Sequence, residues 1–169
     1  MQSFRVIKPT AALVPYVRHY WVLSDDALAP VSERTLPVGC VQMVFHRGRQ
    51  LFSLTEGRLQ PSSFISGQAF GYSDVESTGM LEMIVVVFQP FAAKVFLHMP
   101  VSEFRGMNVN TEETGDPLLV DLGRRIADMP DRVACIRLIE EFLLSRLYAF
   151  PEYNARCIRT MRRNSLGVA

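Results

Sequence analysis

RTLPVGCVQMVFHRG, residues 34–48, reads as a turn followed by a strand that stops at a second glycine. Pro37 and Gly39 set the turn. Val41, Met43 and Phe45 then alternate with Gln42, Val44 and His46 at the two-residue period of a pleated strand. Gln42 and His46 therefore share the face opposite Phe45. That face is either one wall of a binding site or the solvated side of a half-buried strand, and the rest of the chain has to decide between them.

Working outward, short apolar stretches at residues 17–23, 51–54, 63–66 and 81–89 are separated by Pro, Gly, Asp and Ser at close spacing. This is the pattern of an antiparallel sandwich or barrel. Residues 83–88 are apolar at every position, so they are expected to form a central strand covered on both faces. From Pro90 the period changes to that of helices. Pro90 suits a first helical position, with Phe91, Val95 and Phe96 forming one stripe before Pro100. Asp116 and Pro117 make an N-cap and first-turn pair ahead of Leu118, Leu119, Leu122 and Ile126. Pro130 and Asp131 open a further helix that Pro151 interrupts. The expected division is a β region at 1–89, a helical subdomain at 90–150, and a linker at 151–169 carrying Arg156, Arg159, Arg162 and Arg163.

A chain of 169 residues fits one domain, since folding at this size buries about 70% of the unfolded surface. Cys40, Cys135 and Cys157 are an odd number without C-x-x-C spacing, as expected of reduced thiols in a cytosolic protein. The N-terminus has no secretory pattern, and the longest apolar run, 83–88, is far short of the about 20 residues a membrane helix needs. A cytoplasmic chain without membrane contact is the expectation. A net charge of +1 provides no global field for nucleic acid.

Catalytic constellations are missing from the pattern. His19, His46 and His98 fall in three separate elements without H-x-H or H-x-x-x-H spacing, so no metal and no cofactor are expected. His98, near a helix end, reads as a C-terminal capping residue. Ser66 precedes a glycine but lacks the G-x-S-x-G elbow, and the glycines are too widely spread for a phosphate loop. An enzyme is not expected. A concave, mainly apolar site with a few directing groups suits Tyr20, Gln42, His46, Gln68 and Glu82, with Trp21 and Phe70 nearby.

YVRHYWVL (16–23), LPVGCVQMVFHRG (36–48), SSFISGQ (62–68) and VVVFQPFAAKVFLHMPVSEF (85–104) occur in that order. Together they resemble the N-terminal sensor domain of AraC-type bacterial transcription regulators. LIEEFLLSRL (138–147) is similar to the helix that closes that domain. The resemblance implies a mainly β fold with C-terminal α structure, a cupin-like β-barrel or double-stranded β-helix followed by a small helical subdomain. It also implies an unknown small-molecule effector, and DNA contact only through a C-terminal helix-turn-helix domain that this chain lacks. Four positions depart from the family pattern. Val38 stands where aspartate is usual, Gln42 where glutamate is usual, Phe91 where glycine is usual, and Thr114 where tryptophan is usual. Ile136, Leu138, Ile139, Phe142, Leu143 and Leu147 make a broad apolar face, from which a homodimer contact is expected, with packing inside the chain as the alternative. A free-standing cupin-like enzyme or small-molecule-binding protein and a purely structural interaction domain are the competing function classes.

Overall fold

The computed structural model describes residues 2–35, 39–69, 71–149 and Arg159. The expected linker at 151–169, Val38, Phe70 and Cys157 lie outside the described residues, apart from Arg159. Ten strands form two antiparallel sheets among the described residues, and helices follow in the C-terminal part. The fold is mainly β with a helical end.

Strand β9 (Leu81–Phe88) lies inside a six-stranded sheet, between β2 (Val17–Asp25) and β4 (Gln42–His46). As its composition predicts, both of its faces are covered. Ile84, Val86 and Phe88 point to one side and Leu81, Met83, Val85 and Val87 to the other, each set in its own apolar cluster. The sheet continues outward to β1 (Gln2–Ile7) beyond β2, and through β7 (Ser63–Ser66) to β10 (Asn108–Asn110) beyond β4. A second sheet of four short strands has the order β3 (Ser32–Thr35), β8 (Ser73–Glu76), β5 (Phe52–Ser53), β6 (Arg58–Leu59).

The first face of the large sheet carries the helices. The α2 helix (Pro117–Asp128) starts where expected, with the Asp116 side chain accepting from the Leu119 N–H at 3.4 Å. It buries Leu119, Leu122 and Ile126. Gly123 lets it approach β7 closely, because a Cβ there would lie 2.5 Å from the Ser63 hydroxyl. Helix α3 (Arg132–Ala149) buries Cys135, Leu138, Ile139, Phe142, Leu143, Arg146 and Leu147, a stripe at i, i+3, i+4 spacing. Apart from Arg146, these side chains belong to the same cluster as Met43, Phe45, Ile84 and Phe96. The face expected to meet a second copy is therefore filled by the chain itself, and Ile136, half-buried, packs at its border.

Two expectations for the helical region change. Helix α1 spans only Ala93–Phe96, and Phe91 lies outside it, 59% exposed with φ of +66°. That left-handed conformation costs an ordinary side chain about 1–2 kcal/mol and costs glycine nothing. The departure from the family pattern at Phe91 thus falls on a backbone position that suits glycine. Strand β10 also lies within the segment expected to be helical and completes the sheet against β7, so the two regions share one sheet. Strands β1, β3, β6 and β8 are additions to the expected set.

One buried ion pair joins the helices. Arg146, 5% exposed, donates through Nη2 to both carboxylate oxygens of Asp116 at 2.7 and 2.8 Å. Its guanidinium also lies over the Phe142 ring, 4.9 Å from the centroid. His98, expected to cap a helix end, lies against the same guanidinium instead, with Nδ1 2.8 Å and Nε2 2.9 Å from Arg146 Nη1. The N–H at the α1 C-cap, Leu97, is satisfied by the Ala93 carbonyl.

Asp116→Asn keeps a capping oxygen but strands the Arg146 charge. Urea unfolding is expected to show a loss of about 3–5 kcal/mol, as for a broken buried pair, and Asp116→Ala to lose a further 1 kcal/mol or so for the cap. A loss below about 1 kcal/mol for both would separate the pair from stability. Phe91→Gly is expected to raise the unfolding free energy by up to about 1 kcal/mol, the relief of backbone strain exceeding the entropy gained by the unfolded chain. A decrease on the same measurement would mean that Phe91 contributes packing that outweighs its strain.

Candidate functional site

The face of the six-stranded sheet opposite the helices is the first candidate. Alternation along β4 puts Gln42, Val44 and His46 on it, and Phe64, Met83, Val85 and Val87 surround them from β7 and β9. Trp21 and Leu23 of β2 are half-buried against this cluster. Phe4 and Val6 continue the apolar strip on β1, and each is 58% exposed. The Phe4 and Trp21 ring centroids are 5.7 Å apart. The strip is closed around His46 and open towards β1.

His46 is on neither the solvated side nor an open wall. It is 4% exposed, its ring lies 6.1 Å from that of Phe64, and its Nε2 is 3.0 Å from Oε1 of Gln60, just beyond β6. This contact ties the large sheet to the small one. Nδ1 is buried and has no hydrogen-bond partner among the described residues. Burial pushes the imidazole pKa below its usual value of 6.5, and the bond to Gln60 opposes that shift only in part.

The five residues expected to line one pocket separate into different places. Gln42 and His46 share the inner face, Gln42 half-buried towards β9 and β7. Gln68 is exposed past the end of β7, and its carbonyl accepts the Gly106 N–H at 3.0 Å. Tyr20 faces the helices and is fully buried. Its hydroxyl has no partner among the described residues, and burial followed by the nearby Glu140 charge raises its pKa. Glu82 also points to the helix side, at the margin of the sheet, where a groove opens. Tyr20 and Glu82 are therefore on the opposite face from Gln42 and His46.

The groove, about 670 Å³, lies where β2 ends and β9 begins. Arg47, following β4, and Arg132, opening α3, both donate to Oε1 of Glu82, the second at 2.9 Å. Arg47 also donates to the carbonyl of Met129, at the C-cap of α2. Asp25, Asp26 and Arg49 complete the charged lining. Sequence patterns missed both arginines. Arg47 had one legible signal, its place directly after a buried strand and before Gly48.

Among the described residues no group of three or more His, Cys, Asp or Glu side chains could hold a metal ion, and Cys40 and Cys135 are buried free thiols. The inner face offers an apolar surface and the groove at the sheet end offers charged side chains.

Comparison with known proteins adds the following. No curated protein matches the chain. Among solved structures it is similar to the crystal structure of Co(II) HppE in complex with Tris buffer, at 10% identity and a TM-score of 0.38. That likeness covers 52% of this chain, which spans about half (53%) of the HppE chain. A family model described as a domain of unknown function, DUF6597, matches residues 5–110. That match takes in nearly the whole six-stranded sheet and more than half of the 169 residues, and the chain belongs to the DUF6597 family.

Proposed function

We propose that this chain is a small-molecule-sensing module of an AraC-type transcription regulator, built on a cupin-like fold and acting on DNA through a domain outside this sequence. The single observation that carries the reading is the inner face of the six-stranded sheet. It is apolar along its length, closed around His46 and open at Phe4, Val6 and Trp21. A planar or partly apolar effector lying on the open strip would bury its body there against Phe4, Val6 and Trp21. Binding transmits a signal only if two arrangements of the module hold the effector with different affinity. The six-stranded sheet carries the effector face on one side and α2 and α3 on the other, so a shift of its strands is felt by both helices.

Trp21 is the chain's only tryptophan, so its emission reports on the strip directly. In a screen of metabolites, an effector is expected to change Trp21 emission and raise the melting temperature, and Val6→Glu, a charge placed on the open strip, to weaken its binding about tenfold or more. Stabilisation without a Trp21 response would move the site elsewhere. For the regulatory half, DNA cross-linked to the full-length gene product in its host should be enriched at discrete promoters, and an even distribution over the genome overturns it.

A pH dependence follows from the burial of His46. Its folded pKa lies below the unfolded value of 6.5, so the unfolded chain binds the extra proton first as pH falls. The contribution is complete above about pH 6.5 and is lost as pH drops from there through the folded pKa. His19, also shifted down by burial and then by Arg18, acts in the same direction. Unfolding free energy measured from pH 7.5 to 5 is expected to fall less steeply in His46→Gln than in the wild type, and equal slopes would assign the acid sensitivity to His19 and the carboxylates.

A further inference from the structure

The groove at the sheet end carries more hydrogen-bond donors than its own acceptors use. Three guanidinium groups line it, each with five N–H donors. The acceptors they reach are Oε1 of Glu82, shared by Arg47 and Arg132, and the Met129 carbonyl. The Arg47 side chain is only 8% exposed, and its Nε has no partner among the described residues. Arg49, exposed, makes no side-chain hydrogen bond or ion pair with a described residue. Glu82 is already neutralised by two cations, so the surplus on this side is positive.

The lining also carries the opposite sign. Asp25 closes β2, half-buried, and turns Oδ1 back onto the Ala27 N–H at 3.0 Å. Its Oδ2 makes no such bond among the described residues. Met80 and Leu81 also line the groove. A dianion would meet Asp25 and a dication would meet the arginines, each a like-charge contact that costs affinity.

We infer that this groove binds a small zwitterion of the amino-acid type, its carboxylate on Arg49 and Arg132 and its ammonium on Asp25. The site is separate from the effector face proposed above and does not depend on it. Occupation would place a new anion beside Arg132, in the first turn of α3, and so compete with Glu82 for the contact that joins the sheet to that helix.

The experiment is calorimetric titration with L-alanine and γ-aminobutyrate as zwitterions, succinate as dianion and putrescine as dication. Wild type is compared with Arg132→Gln, Asp25→Asn and Val6→Glu. Both groove substitutions are at accessible positions, and asparagine retains the Oδ1 acceptor for Ala27, so folding is expected to survive and is checked by melting. At least one zwitterion is expected to bind at submillimolar concentration and at least tenfold more tightly than succinate or putrescine. That binding should fall at least tenfold in Arg132→Gln and in Asp25→Asn, and persist in Val6→Glu. Binding of succinate as tight as that of the zwitterions, indifference to either groove substitution, or no binding of either zwitterion overturns the inference. Loss of zwitterion binding in Val6→Glu alone would place the ligand on the inner face and overturn it too.

Discussion

Strand β9 cannot lie on a surface. Both of its faces are apolar, six successive residues from Met83 to Phe88 are buried, and a strand of that kind is stable only with a layer on each side. The helices supply one layer, through Leu119, Ile126, Ile139 and Leu143, and a second apolar cluster forms on the other face, with Leu51 reaching it from beside β5. Everything assigned a role here is placed by that requirement. The inner strip exists because β1 and β2 extend the sheet past the part where the second cluster is buried. The groove exists because Glu82, the second residue of β9, is charged among apolar ones, and Arg47 and Arg132 gather on it.

Legibility in the sequence followed the range of the forces involved. Alternation in β4, the unbroken apolar run of β9, the Asp116 cap and the α3 stripe are local patterns, and they placed most of the core. The unexpected strands were less visible for a local reason. In β3 and β8, SERT and SDVE, polar residues dominate, while β1 has apolar residues on both faces and little burial to organise them. Charge pairing was hidden because its partners are far apart along the chain, 35 residues for Arg47 with Glu82 and 30 for Arg146 with Asp116. Arg146 did leave a trace. It sits at i+4 from Phe142 inside an apolar stripe, where an arginine is tolerated only with a buried partner.

The five candidate residues come from different strands, and only the pair from one strand keeps a common face. Gln42 and His46 are two residues of the same parity and stay together, while Tyr20 and Glu82 have the other orientation in strands that pair with their neighbours in fixed register. Parity within β2 and β9 is legible from sequence, but it has meaning only once the register between strands is known. His46 further shows that a polar residue at a strand end need not face water. Its partner Gln60 comes from the small sheet, and the contact replaces solvent with a single directed bond.

The two margins of the six-stranded sheet are unequal. Strand β10 has three residues and runs directly into a 3₁₀ turn, Thr111–Glu113, so that margin has almost no free ladder. Strand β1 has six, with Phe4 and Val6 alongside a backbone edge that pairs with no strand among the described residues. A sheet with one such margin can extend laterally in one direction only. Any edge-to-edge association of these chains through β1 ends when two copies have met, which is closure by geometry and a barrier to fibre growth.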